Sequence, residues 1–245
     1  MPWYGFAMMM EPRLDIIGAA LADPSRSRIL CELMDGRAFT NKELACAARI
    51  TAQTASAHLK HLEAAGLTSS LRSGRNVYHH IASEDVAAIL ESLASLSPTD
   101  HLHRAKIRNL PGANTMRARS CYNHIAGRLG VMITERMVGM DFLQVQADTA
   151  TLGKAGDVFF RKIGIDMTKL KKTNKPIVKP CLDWTERKNH LSGPLATEMM
   201  NRFLEMNYLA RSSHGRALEI TATGYVFLQR EFGLSRTCID SGSHP

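Results

Sequence analysis

Two clusters of side chains in this sequence could do chemistry. Cys121 and His124 stand at i and i+3, a spacing that puts both on one face of a helix. Cys181, Asp183 and His190 form the second cluster. Thiolates and imidazoles are the ligands of soft and borderline divalent metals, and four of these side chains would hold one ion. Cys121 and Cys181 would instead make a redox switch if they came within disulfide reach. Tyr122 and Trp184 could wall a pocket for a small apolar effector. A plainer reading has the cysteines packed, Trp184 in the core and Asp183 capping a helix that begins near Thr185. No cofactor is required by any pattern here, and a soft metal ion is an option.

Cys181, His190 and Asp183 are also the types a thiol-dependent transferase or hydrolase needs, a nucleophile with a base and a group to orient it. No nucleophile elbow, P-loop or dinucleotide fingerprint accompanies them. An enzyme is the remote alternative, and no catalytic residue is expected.

The elements that would position these residues read as a mainly α domain. A helix is predicted over residues 115–139, with Cys121, Ile125, Leu129, Met132 and Met137 inward, and another over 152–163. Apolar Leu195, Met199, Phe203 and Met206 follow the helical period over 194–207. A hairpin fits 209–220 around His214-Gly215-Arg216, and Thr221 caps a last helix with Tyr225, Leu228 and Phe232. Leu204-Glu205, Leu209 and Gly215-Arg216 echo Leu62-Glu63, Leu67 and Gly74-Arg75. That echo reads either as a degenerate winged-helix repeat or as chance similarity. Glu198 and Glu205 on the helix before this hairpin argue against base reading there, because carboxylates repel phosphates.

The first hundred residues are organised differently. Leu14, Ile17 and Leu21 mark one face of a helix; Asp23-Pro24 stops it and starts a second, which ends by Gly36. Thr40 and Glu43 make a capping box for a third. Thr51 caps a fourth, in which Ala55, Leu59 and Leu62 face inward while Gln53, Ser56, Ala57 and Lys60 face out. Small residues allow close approach to a major groove, an amide pairs with adenine, and a lysine reaches phosphate. A hairpin over 67–71 and 76–81 follows, with Arg72 and Arg75 at its tip beside Gly74. Ser83 caps a helix whose Val86, Ile89, Leu90 and Leu93 form an apolar stripe, and Ser97-Pro98 ends it.

Residues 97–114 carry two prolines and no apolar period, which marks a linker; His101 and His103 in it read as solvated. Residues 1–9 read as a loose tail or an early start, with no basic region or cleavage site of a signal peptide. No apolar run is long enough to span a membrane. Five scattered cysteines without CxxC spacing suit free thiols in a cytoplasmic protein. The net charge of +8 is unevenly placed. Residues 1–100 hold 9 Lys and Arg against 11 Asp and Glu, so the excess lies beyond them. Seven cations crowd into 161–179, either to track phosphates or as a solvated loop.

The segments DPSRSRIL, TNKELA, TAQTASAHLKHLEAAGL and RSGRNVYHHI, in that order, resemble the ArsR-type winged helix-turn-helix repressors over residues 11–97. RARSCYNHIAGRLG and KPCLDWTERKNHLSG resemble the C-terminal extension of a long ArsR-like subgroup. The resemblance implies a homodimer with the first and last helices of the domain at its interface. It implies two recognition helices on a pseudo-palindromic operator in double-stranded DNA. Contacts would fall on Thr51, Gln53, Thr54, Ser56, Ala57, Lys60, Arg72 and Arg75. The Cys-x-Cys of many ArsR-type sensors is absent, since Thr40-Asn41-Lys42 stands before Glu43-Leu44. The Asp-x-His of others is missing from 83–97, and Cys31 and Cys46 read as core residues.

The expected architecture is mainly α with small β-hairpin wings: a winged helix-turn-helix domain at 11–97, a linker at 98–114 and a C-terminal effector or dimerisation domain at 115–237. The expected function is a dimeric repressor released from its operator by an effector sensed at Cys121, Tyr122, His124, Cys181, Asp183, Trp184 or His190. A metal- or redox-responsive sensor using Cys121 and Cys181 is the alternative.

Overall fold

The computed structural model describes residues 12–96, 113–146, 149–172, 176–212 and 215–241. The tail at 1–9, nearly all of the linker with His101 and His103, Ser97-Pro98 and His214 lie outside the described residues. Packing divides the chain into two compact units. One holds the residues up to Cys31 together with Ala38–Ala82, and the other holds Glu32–Arg37 with everything from Ser83 onward. Among the described residues, no helix is long and apolar enough to cross a membrane.

The first unit contains α1 (Leu14–Leu21), most of α2 (Pro24–Leu33), β1 (Phe39–Thr40), α3 (Asn41–Ala48), α4 (Ala52–Ala64), β2 (Thr68–Ser73) and β3 (Asn76–Ile81). α2, α3 and α4 start where the sequence supplies an acceptor for free backbone N–H groups. Asp23 Oδ1 accepts from Ser25 at 2.8 Å and Arg26 at 3.0 Å. Thr40 and Glu43 close the capping box. Thr51 Oγ1 accepts from the Thr54 N–H at 3.1 Å. Between α3 and α4 the chain turns sharply because Arg49 takes a left-handed conformation, φ 56°. Ala55, Leu59 and Leu62 of α4 are buried, as their period requires. β2 pairs with β3 from Thr68↔Ile81 to Ser73↔Asn76, so the first strand runs two residues past the expected 71. That leaves Gly74-Arg75 as the turn, with Gly74 at φ +59°. β1 adds to the other edge of β3.

Cys31 and Cys46 are exposed, which corrects the expectation that they pack in the core. The buried stripe of α2 is Ile29, Leu30 and Leu33, and that of α3 is Leu44, Ala45 and Ala48. At 100° per residue each cysteine falls off its stripe.

The second unit opens with α5 (Glu84–Ser95), capped by Ser83, and continues with α6 (Ala113–Arg117). Four antiparallel hairpins then alternate with helices. β4 (Arg119–Cys121) and β5 (His124–Ala126) precede α7 (Gly127–Gly139). β6 (Leu143–Gln146) and β7 (Thr149–Leu152) precede α8 (Gly156–Lys162) and α9 (Met167–Leu170). β8 (Lys179–Leu182) and β9 (Asn189–Ser192) precede α10 (Pro194–Glu205). β10 (Leu209–Arg211) and β11 (Leu218–Ile220) precede α11 (Ala222–Phe232) and α12 (Arg236–Ser241). Leu129, Met132 and Ile133 of α7 join Met199 and Phe203 of α10 and Phe227 and Phe232 of α11 in one core.

The single helix expected over 115–139 is not formed. It is replaced by α6, the β4–β5 hairpin and α7. Residues 118–121 and 124–127 are buried without a polar face, so no helical period exists there. Tyr122 turns the chain at φ 57°, with its N–H donating to Met34 O at 2.7 Å. Gly127 restarts it at φ +74°, where a Cβ would sit 2.8 Å from Met116 O. The helix expected over 152–163 shortens to α8, after β7. α10, the β10–β11 hairpin and the Thr221 cap fall where expected, with Thr221 Oγ1 accepting from Gly224 N–H at 2.9 Å. Helix then hairpin repeats the order of α4 and its wing. A hairpin rather than a helix precedes α10, so α10 is not the second helix of a helix-turn-helix.

Candidate functional site

Each of two hairpins presents one cysteine and one histidine as directly opposed partners. Cys121 of β4 faces His124 of β5, and Cys181 of β8 faces His190 of β9. Directly opposed residues of an antiparallel pair share a face of the ribbon, with Cβ atoms about 4.5–5.5 Å apart. Cys121 and His124 therefore do come together, but across a hairpin and not along a helix face. β5 packs on β9, and one ligand atom from each of the four residues lies within 4.8 Å of every other. His124 Nε2 and His190 Nε2 are 3.1 Å apart. Cys121, His124 and His190 are buried and Cys181 is half-buried; both cysteines are free.

Asp183 stands behind His190. Its Oδ2 lies 3.3 Å from His190 Nδ1, accepts from Arg119 Nη2 at 2.9 Å and from the Gly127 N–H at 2.7 Å. Its Oδ1 caps the following turn, accepting from Thr185 N–H at 2.9 Å and Glu186 N–H at 3.1 Å. The capping role and the role beside His190 thus fall on different oxygens of one carboxylate. Arg119 is wholly buried, 4.6 Å above the Trp184 ring and 3.7 Å from Glu91 of α5, which Arg216 also approaches at 3.4 Å.

Burial opposes charge throughout this network, and the partners overcome it. Burial would raise the Asp183 carboxyl, but His190, Arg119 and Thr185 hold it far below the usual carboxylate range. Burial likewise works against the Glu91 carboxylate, which Arg216 and Arg119 hold below its ordinary value. Burial lowers His190, yet Asp183 and Cys121 outweigh it and bring the imidazole up to about 9. The hydrogen bond with Cys181, together with burial, pushes the Cys121 thiol up to about 12.

Of the seven residues proposed from sequence for effector sensing, Cys121, His124, Cys181, Asp183 and His190 converge. Tyr122 lines a cavity of about 260 Å³ beside Cys121, His124 and Cys181. Trp184 does not line it and instead lies under Arg119. Tyr122 and Trp184 therefore do not wall this cavity together.

In the other unit, α4 and its hairpin present a separate polar surface. Thr51, Gln53, Thr54, Ser56, Ala57 and Lys60 are all exposed, as are Arg72 and Arg75 at the hairpin tip. A helix-turn-helix domain family matches residues 21–70. The HTH-type transcriptional regulator YdfF of Bacillus subtilis is 34% identical over 229 residues, which cover 92% of this chain and 99% of that protein. The chain belongs to the ArsR-type winged helix-turn-helix transcriptional regulators. CmtR of Mycobacterium tuberculosis is 36% identical over 88 residues, 36% of this chain and 74% of that one. The homodimeric winged helix-turn-helix domain of Mb0332 from Mycobacterium bovis, solved in solution, has 32% identity and a TM-score of 0.34 over 37% of this chain and 82% of that one.

In this ArsR-type regulator several cations of the 161–179 run are paired. Arg161 and Lys171 both meet Asp157, at 2.7 and 2.5 Å, and Lys162 meets Glu231 at 2.7 Å. Sequence reasoning missed Arg119, Arg216 and Glu91. One signal for Glu91 was available: it sits four residues from both Ala87 and Ser95, and that row of small residues is the buried face of α5.

Proposed function

We propose that this regulator is a homodimeric repressor that holds a pseudo-palindromic operator through α4 and the β2–β3 wing. An effector bound in the C-terminal part, residues 115–237, releases it. The observation that carries the reading is the two-faced α4, with Ala55, Leu59 and Leu62 buried and Gln53, Ser56, Ala57 and Lys60 free in water. An amide, small residues and one cation are what close approach to base edges and phosphates asks of a helix. Dimerisation is supported by large apolar side chains left in water. Leu14 is 72% exposed on α1, and Ile89 is 58% exposed on α5, followed by Leu96 at 80%. A second copy would cover them. Two half-sites would then lie about 34–36 Å apart. Release follows if the effector binds more tightly to a dimer geometry that mismatches that spacing. A protein acting on DNA with free thiols belongs in a reducing cytoplasm.

For the thiol-enzyme alternative, His190 does stand beside Asp183. Its nucleophile would be Cys181, opposite His190 across the β8–β9 hairpin, and a Cys181 that alkylates at the rate of an ordinary thiol counts against it.

The test is binding to the protein's own promoter region by mobility shift and fluorescence anisotropy. Gln53→Ala costs roughly 1–3 kcal/mol and relaxes preference at one base position. Lys60→Ala weakens all sequences alike and lowers the salt slope by about 1. Unchanged affinity and base preference in Gln53→Ala would remove α4 from the role of reading helix. An absence of specific binding by the wild-type chain would overturn the proposal as a whole.

A further inference from the structure

We propose that Cys121, His124, Cys181 and His190 bind one soft divalent cation of the zinc and cadmium class in a four-coordinate site, and that its occupancy is the signal the regulator reads. The second half rests on the function proposed above; the first half does not.

The donor set selects the ion. Two thiolates and two imidazoles suit zinc and cadmium, whereas magnesium and calcium take oxygen ligands. The spacing fits. Zinc at about 2.3 Å from sulfur and about 2.0–2.1 Å from nitrogen in a tetrahedron separates its ligands by about 3.3–3.8 Å. The imidazole nitrogens already stand 3.1 Å apart and no pair of ligand atoms exceeds 4.8 Å. Small side-chain rotations would close the remainder. The scaffold fits as well, since each hairpin holds one Cys–His pair in register on a single face.

The surroundings supply what a metal site needs beyond its ligands. With His190 Nε2 turned toward His124, its Nδ1 points to Asp183 Oδ2 at 3.3 Å and has no well-aligned hydrogen bond of its own. A carboxylate behind a ligating imidazole fixes ring orientation and raises ligand basicity. Asp183 is itself held by Arg119 and the Gly127 N–H. The cavity beside Cys121, His124 and Cys181 offers an entry path, with Lys179, Ser192 and Asn123 on its wall. Binding forms two metal–sulfur and two metal–nitrogen bonds; the two thiol protons leave to solvent, and a protonated His190 also gives up the proton on the nitrogen that ligates, keeping the one that faces Asp183.

A route from the ion to the rest of the unit is also present. Asp183 pairs with Arg119, and Arg119 and Arg216 flank Glu91 on α5. A shift of His190 on metal uptake would be felt at α5, the helix that follows the wing.

The full-length, reduced protein is titrated with Cd²⁺ alone, read by thiolate-to-metal charge-transfer absorption, and with Zn²⁺ against a chromophoric chelator. The expected result is one ion per chain, with Cys181→Ser halving the cadmium–thiolate band and weakening zinc at least tenfold. Cys181 is half-buried, so that variant should fold; circular dichroism checks it, and His124→Gln gives an independent second ligand loss. Asp183→Asn weakens zinc 10–100-fold while keeping the full thiolate band. No stoichiometric uptake, or uptake indifferent to both Cys181→Ser and His124→Gln, overturns the site. The same samples are then tested for promoter binding. Metal uptake that changes operator affinity supports the signal. Uptake with unchanged operator affinity overturns the signal while the site stands. A chain that takes up metal and never binds its promoter refutes the proposed function instead.

Discussion

The two units use polar side chains in opposite ways. On α4 and the wing, Gln53, Lys60, Arg72 and Arg75 stand in water. In the second unit Arg119, Asp183, Glu91 and His190 are withdrawn from water and answer one another. An exposed cation retains its charge for a phosphate and costs the fold little. A buried ion pair is held to one geometry, because loss of either partner strands a charge in a low-dielectric interior. The first arrangement suits a surface that must meet a large anionic partner. The second suits a cavity wall whose ligand atoms must stay within ångströms of their places.

That contrast can be broken most forcefully at Asp183. Asp183→Ala leaves Arg119 buried without its nearest carboxylate and should cost about 3–5 kcal/mol of stability, measured by urea unfolding in the presence of a chelator. A cost below about 1 kcal/mol would mean that water or Glu91 substitutes for it, and the buried network would not be the rigid partner of the comparison. In α4 a comparable cost should require an apolar residue. Leu59→Ala should lose about 2–5 kcal/mol by the same assay, while Gln53→Ala stays within about 0.5 kcal/mol. Thr51→Ala removes the cap of α4 and should cost about 1 kcal/mol, with weaker operator binding as the helix start frays. A small effect is also expected in the exposed basic run. Lys162→Ala breaks the ion pair with Glu231 and should change stability by less than about 1 kcal/mol, vanishing in high salt. If it instead lowers operator affinity, part of that run contacts phosphate.

Local chemistry made the first unit legible. Asp23-Pro24, Thr40 with Glu43, and Thr51 announce helix starts, because a side-chain oxygen near free N–H groups acts within one turn of chain. Gly74 announces the wing turn for a similar reason. The inward and outward residues of α4 follow from 100° per residue alone. Cys31 and Cys46 defied their reading because the residue type favours burial while the helical stripe excludes them. The stripe wins, since a side chain's direction is set by its place on the helix.

In the second unit residue type was informative and arrangement was not. Cysteine, histidine and aspartate in RARSCYNHIAGRLG and KPCLDWTERKNHLSG marked where chemistry would reside. The i, i+3 spacing of Cys121 and His124 suggested a helix face, yet Cys121 meets His124, and Cys181 meets His190, as cross-strand partners in two hairpins. β4 and β5 are buried on both faces and carry no alternation to read, and at the left-handed turn between them the Tyr122 N–H donates to the distant Met34 carbonyl. Glu91 joined the network for a like reason. Its helix offers an apolar row at Val86, Ile89, Leu90 and Leu93, but the face that packs within the unit is Ala87, Glu91 and Ser95. Caps, turns and helical faces act over a few residues and are written in the chain. Which hairpins pack together, and which charge is buried against which, depends on contacts between residues far apart in sequence, and those exist only once the chain has folded.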